Sequence, residues 1–167
     1  NAVETLLIHR KIAEKFLPVL YQELTEHKVK VRGTEEVSRI IPCELMGEEE
    51  FNTEYLDLIV SVKLVENVQE AVAHINRFGS HHTDCIITEK KETAEIFMQL
   101  VDSAGVYQNC STRFADGFRY GFGAEVGIST GKIHAKGLVT YKYKLFGQGQ
   151  IVGDYAEGRS NFHFKDM

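Results

Sequence analysis

No run of apolar residues in this sequence approaches membrane-spanning length, and its first residues lack the basic flank and short apolar segment of a secretory leader. A bilayer is therefore not an expected partner. Positive charge is also scarce: 19 Lys and Arg stand against 24 Asp and Glu, for a formal net charge of −5, and the basic residues are scattered. That excludes the basic stripe with which proteins hold nucleic acid nonspecifically. Cysteine is limited to Cys43, Cys85 and Cys110, an odd number without zinc-site spacing. This usage points to reduced thiols, a cytoplasmic setting and no bound metal. Pro18 and Pro42 are the only prolines. What is present, 167 residues of which 43% are hydrophobic and 26% charged, suffices for one sizeable core and reads as one domain. The first residue is not Met and lies inside an apolar pattern, which suggests a piece of a longer protein.

Apolar strands alternate with amphipathic helices along the chain. Thr5 to His9 is a short run of the buried-strand kind, and a helix is expected from near Leu17, with Pro18 in its first turn and Leu20 and Leu24 inward. Val29 to Arg32 alternates as a strand closed by Gly33; a short helix from Thr34 then turns Val37, Ile40 and Ile41 inward until Pro42 stops it. Residues 44–53 are acidic and weakly apolar, an expected exposed connection. Leu58 to Val65 is the strongest strand signal. Asn67, with Glu70 three residues on, caps a helix whose apolar face is Val68, Ala71, Val72 and Ile75 and which Gly79 ends. Asp84 to Thr88 predicts a buried strand, Ala94, Phe97, Met98 and Val101 a helical stripe, and Ala104 to Asn109 a further strand. These spacings predict an α/β fold with a mostly parallel sheet. Near the end, Val139 to Phe146 alternates as an extended arm, which Gly147-Gln148-Gly149 separates from Ile151-Val152. A terminal strand with uncovered edges predicts pairing with a second subunit.

One stretch fits no period. From Asn109 to Thr130 the chain concentrates hydroxyls, an amide, two arginines, two acids and four glycines. Asn109, Ser111, Thr112 and Arg113 are donors suited to a carboxylate or phosphate, and the loop leaves the carboxyl end of a strand, where parallel sheets bind ligands. An ordinary long surface loop is the competing reading. Three sharper readings are weaker. Gly121 to Gly127 resembles a dinucleotide fingerprint, but its glycine spacing is off by one and no βαβ unit surrounds it. His81 and His82 with Asp84 are too close in sequence to converge on one ion without further ligands. Cys110 with His134 as base would make a nucleophile, yet a buried thiol at a strand end is the commoner arrangement.

The opening Asn1 to His9, the run Asn109 to Thr130, and Ile133-His134-Ala135 resemble the γ-glutamyl phosphate reductase family of proline biosynthesis. So does Val65 to Ile86, including Ala71-Val72-Ala73-His74-Ile75 and Gly79-Ser80-His81-His82-Thr83-Asp84-Cys85-Ile86. The tail, through Gly149-Gln150, Asp154-Tyr155 and Lys165-Asp166, is more similar to the fungal enzyme. The resemblance implies an aldehyde-dehydrogenase-like fold. Residues 1–136 would be a catalytic-domain portion, 137–152 an oligomerisation strand and 153–167 a polar tail. It also implies NADPH as cofactor, γ-glutamyl phosphate and glutamate 5-semialdehyde as substrate and product, a homo-oligomer, and glutamate 5-kinase as a partner.

The family's nucleophilic cysteine lies in Cys-Asn-Ala, just before the position of Asn1, so no catalytic residue is expected in this chain and the chain alone is expected to be inactive. Backbone amides near Ser111 and Thr112, their hydroxyls and Arg113 would take the substrate's α-carboxylate, and Asp116 its ammonium, with Asn109 in the same site. Glu54 matches the superfamily's glutamate for the cofactor's nicotinamide-side ribose. Two departures stand out. The family's Glu-Tyr-Gly-Asp is Glu54-Tyr55-Leu56-Asp57 here, and His134-Ala135-Lys136 passes to Gly137-Leu138-Val139 as though residues were missing. A non-catalytic regulatory or assembly module that keeps the fold is the alternative function.

Overall fold

His9 both ends the first strand and starts the first helix. It closes β1 (Thr5–His9), and its Nδ1 accepts from the Lys11 amide at 3.1 Å, capping α1 (Arg10–Glu26). In the computed structural model, residues 3–116, 119 and 142–150 are described; the chain divides into one unit of Val3–Gly79 and a second beginning at Ser80.

In the first unit, α1 is followed by β2 (Lys30–Gly33), α2 (Glu35–Ser38), β3 (Glu44–Leu45), a 3-10 turn at Glu48–Asn52, β4 (Ile59–Val65) and α3 (Val68–Phe78). The strands form one parallel sheet in the order β1-β4-β2-β3, with Thr5 opposite Ser61 and Val31 opposite Val60. β4 is central, which is why it reads as an almost unbroken apolar run. Ala13 and Leu17 of α1, with Val37 and Ile41, pack on Ile8, Val31, Val60, Val62 and Leu64. Each fully buried side chain such as Leu17 or Val62 contributes about 1.5–3 kcal/mol.

The helix does not start near Leu17. It begins a full turn and more earlier and runs through Pro18, whose side is exposed, so the carbonyl that loses its hydrogen bond faces water. The Ala13, Leu17, Leu20, Tyr21, Leu24 stripe packed on the sheet outweighs the local cost of the proline. Residues 44–53 are likewise not a plain exposed connection: Met46 and Phe51 are buried and form a satellite core with Phe78. At the end of α3, Gly79 is not left-handed; it is there because a Cβ would lie 2.6 Å from the Ile75 carbonyl oxygen. Asn67 caps that helix as expected, its side chain accepting from the Glu70 amide at 2.9 Å, while the Glu70 carboxylate accepts from the Glu66 amide at 2.7 Å.

The second unit contains β5 (Thr83–Ile86), α4 (Lys91–Leu100), β6 (Gly105–Cys110), a 3-10 turn at Thr112–Phe114 and β7 (Tyr143–Gln150), in a parallel sheet of order β5-β6-β7. α4 buries Ala94, Phe97 and Met98, as its stripe predicts. Within the expected strand of 137–152, β7 runs through Gly147-Gln148-Gly149 while lying against β6 of the same chain, with a register shift between Gln108 and Cys110. Among the described residues its other edge carries no strand. The Gly121 to Gly127 run, His134, the junction after Lys136 and the tail beyond Gln150 lie outside the described residues.

Candidate functional site

The expected ligand loop does leave the carboxyl end of a parallel strand, β6. Asn109 makes the exit. Its φ is +53°, a conformation that asparagine tolerates better than most residues, and it falls at the register shift. Both ends of the amide are used: Oδ1 accepts from the Thr88 N–H at 2.8 Å and Nδ2 donates to the Thr88 carbonyl at 2.9 Å. Gln108 Nε2 donates to the same carbonyl at 3.1 Å. The side chain thus does the work of a strand partner, tying the segment after β5 to the end of β6.

Ser111 follows as the cap of the Thr112–Phe114 turn, its Oγ accepting from the Arg113 amide at 3.2 Å. Phe114 and Ala115 are buried against Tyr107 and Cys110. These contacts hold the turn from beneath and leave Arg113 exposed, with no side-chain partner among the described residues. Asp116 does not pair with Arg113. Its Oδ2 accepts from the Arg119 guanidinium and its Oδ1 from the Arg119 amide at 3.3 Å. Among the described residues the turn therefore presents an exposed guanidinium without a side-chain partner and, nearby in sequence, a carboxylate oriented by a different arginine. Ser111, Thr112, Arg113 and Asp116 belong to one short segment, and Asn109 supports it through the backbone.

His81, His82 and Asp84 do not converge. Nδ1 of His81 meets the Asp102 carbonyl at 2.6 Å, Nδ1 of His82 meets Thr83 Oγ1 at 2.7 Å, and Asp84 accepts from Ser103 Oγ at 2.5 Å. Burial raises the Asp84 pKa, and the Ser103 hydrogen bond opposes it. Cys110 is buried and its thiol is pushed up, first by its hydrogen bond with Cys85 and then by burial; Cys85 is pushed down to about 7 by the same contact.

Glu54 lies in the other unit, exposed between the Glu48–Asn52 turn and β4, and no described group hydrogen-bonds its carboxylate. Its neighbour Tyr55 anchors it. The phenol meets Ser61 Oγ at 2.9 Å and accepts from Arg32 at 3.4 Å; Arg32 also binds Glu50 at 2.6 Å, and Glu50 accepts from the Gly47 amide at 2.6 Å. Those two donors, Gly47 first, hold Glu50 below the usual carboxylate range. Glu4 is near enough for the Glu54 charge to add to the burial that raises its pKa. The sequence reading gives Arg32, Glu50, Tyr55 and Ser61 no role in a site; the one local sign is Ser61 interrupting the apolar run of β4. Leu56, where the family has glycine, adopts φ +51° and is 87% exposed.

Two parallel sheets with helical crossovers, and a loop of hydroxyls and arginine at a strand's carboxyl end, define an α/β protein of the aldehyde-dehydrogenase-like class. No family model matches the chain. The γ-glutamyl phosphate reductase of Acetivibrio thermocellus is 55% identical over 173 residues, covering 100% of this chain and 40% of that protein. γ-Glutamyl phosphate reductase 1 of Synechocystis is 53% identical over 174 residues, with the same coverage. The crystal structure of γ-glutamyl phosphate reductase from Thermotoga maritima superposes with a TM-score of 0.75 at 48% identity, covering 83% of this chain and 34% of that one. The Saccharomyces cerevisiae enzyme gives 0.55 at 36% identity, covering 72% and 32%. The chain belongs to the γ-glutamyl phosphate reductase family, and it spans about two fifths of the length of the curated relatives it matches.

Proposed function

We propose that the protein carrying this chain reduces γ-glutamyl phosphate to glutamate 5-semialdehyde with NADPH, and that this chain supplies the substrate-tail loop and one cofactor carboxylate. The observation that carries the reading is the match to curated reductases along the whole chain. The loop geometry supports it. The substrate's α-carboxylate and α-ammonium lie at the end remote from its acyl phosphate, so recognition needs a cation and an anion held away from the reacting carbon. Arg113 is the cation, assisted by the hydroxyls and amides of Ser111 and Thr112; Asp116 is the anion, with Arg119 keeping its carboxylate in place.

The nucleophile comes from outside the chain, because none of Cys43, Cys85 and Cys110 stands in the family's Cys-Asn-Ala motif. Its thiolate attacks the acyl carbon, phosphate leaves, and a thioester results. Glu54 fits the cofactor as an exposed carboxylate, unpaired among the described residues and able to accept two ribose hydroxyls, with Tyr55 and Ser61 fixing its turn. When bound, NADPH supplies the hydride that converts the thioester to the aldehyde. The edge of β7 that carries no strand among the described residues supports pairing with a second copy of the chain, and reduced thiols suit a cytoplasmic enzyme. Glutamate 5-kinase, which makes the acyl phosphate, is the partner this chemistry calls for.

The test is Arg113→Ala in the full-length protein, assayed in reverse as phosphate-dependent NADPH formation from glutamate 5-semialdehyde. Losing one charged hydrogen bond of about 1.5–3 kcal/mol lowers kcat/KM roughly tenfold to hundredfold, with folding unchanged. Absence of turnover by the wild-type protein refutes the activity; an unchanged kcat/KM in the variant refutes the loop assignment alone.

A further inference from the structure

Cys85 and Cys110 sit on adjacent parallel strands, β5 and β6, and their surroundings join them. Cys85 packs against the cluster of Tyr107, Cys110, Phe114 and Ala115, so both thiols share one face of the sheet. A straight ladder pairs Cys85 with Tyr107 and would put Cys110 about 10 Å further along. The left-handed turn at Asn109 and the register shift beside it bring Cys110 back. As a result Cys85 Sγ donates to the Cys110 carbonyl at 3.0 Å, which sets the two cysteines side by side.

We propose that Cys85 and Cys110 form a thiol–disulfide exchange site for small-molecule disulfides of the glutathione type. Cys85 is the attacking residue. It is the less buried of the two, and its thiolate is favoured by the Cys110 thiol and by the backbone amides of Cys110 and Asn109, which bring its pKa to about 7. The thiolate attacks one sulfur of glutathione disulfide; the S–S bond breaks and one glutathione thiolate leaves. Cys110 then attacks Cys85 Sγ, its proton passing to the second glutathione thiolate as that leaves. The two protein thiols are oxidised by two electrons and glutathione disulfide is reduced to two glutathiones. The bridge ties β5 to the residue immediately before Ser111, at the root of the loop. Nothing in this step depends on the proposed reductase activity.

The full-length protein is incubated with glutathione disulfide at pH 7, alkylated and peptide-mapped, which confines the reading to these two residues. The expected product is a peptide pair linked through Cys85 and Cys110, lighter by two hydrogens and restored by dithiothreitol. Cys110→Ala should stop at a single glutathione adduct on Cys85, and Cys85→Ser should leave Cys110 unmodified. In the unoxidised protein Cys85 should alkylate roughly fivefold to tenfold faster than Cys43, whose thiol burial pushes up. A persistent glutathione adduct on Cys85 in the wild type, a bridge that involves Cys43, or alkylation of Cys85 no faster than Cys43 overturns the proposal. Circular dichroism of each variant separates these outcomes from unfolding.

Discussion

His74 makes the stability of the first unit depend on pH in a direction that can be worked out residue by residue. The side chain is 6% exposed on α3, its ring 4.7 Å from that of Phe51 at 86° and 4.8 Å from that of Phe78. Nδ1 lies 3.4 Å from Lys63 Nζ; an ammonium only donates, so Nδ1 accepts and Nε2 carries the hydrogen, unpaired among the described residues. Burial first, and then the Lys63 charge, lower the His74 pKa from 6.5 to about 4, against the opposing pull of Glu48 and Glu70. Between those two values the unfolded chain binds a proton that the folded chain refuses. Stability is therefore complete above pH 6.5 and falls as pH drops towards 4. The ceiling is about 3 kcal/mol, and the fall from pH 7 to pH 5 is about 2 kcal/mol. Urea denaturation of the wild type and His74→Leu at both pH values reads it, since the carboxylates common to the two proteins cancel in the comparison. The wild type should lose about 2 kcal/mol more than the variant. Equal losses, or a His74 imidazole resonance that titrates near 6.5 in the folded protein, would refute the reasoning.

Two backbone positions give predictions of opposite sign. Leu56→Gly should stabilise the protein by about 0.5–1 kcal/mol, because an exposed leucine at φ +51° carries strain that glycine does not; a lower denaturation midpoint would contradict this. Gly79→Ala should destabilise by roughly 1–3 kcal/mol, because the new Cβ meets the Ile75 carbonyl, which belongs to the helix backbone and cannot swing away. An unchanged urea midpoint would mean that the end of α3 shifts freely.

Local chemistry alone determined much of this protein. The continuous apolar run of β4, the Asn67 cap and the stripe of α4 are written within a few residues of one another, so the order of strands and helices and their parallel pairing were legible. The loop after β6 was legible too, because Ser, Thr, Arg and Asp without a period leave a strand that any α/β sheet would end at its ligand side. What only the tertiary structure decided are the cases where a distant partner overrules the local rule. Pro18 stays inside a helix because the face opposite it is buried, and Phe51 turns an acidic stretch into part of a core because Phe78 lies above it. Asp116 pairs with Arg119 rather than with Arg113, which has no side-chain partner among the described residues, and the Asn109 amide reaches Thr88, 21 positions away. Cys85 and Cys110 become one chemical unit only because two strands distant in sequence lie side by side and a left-handed asparagine bends the second towards the first. Periodicity reports which way a side chain faces; it carries no information about which group from elsewhere in the chain arrives to meet it.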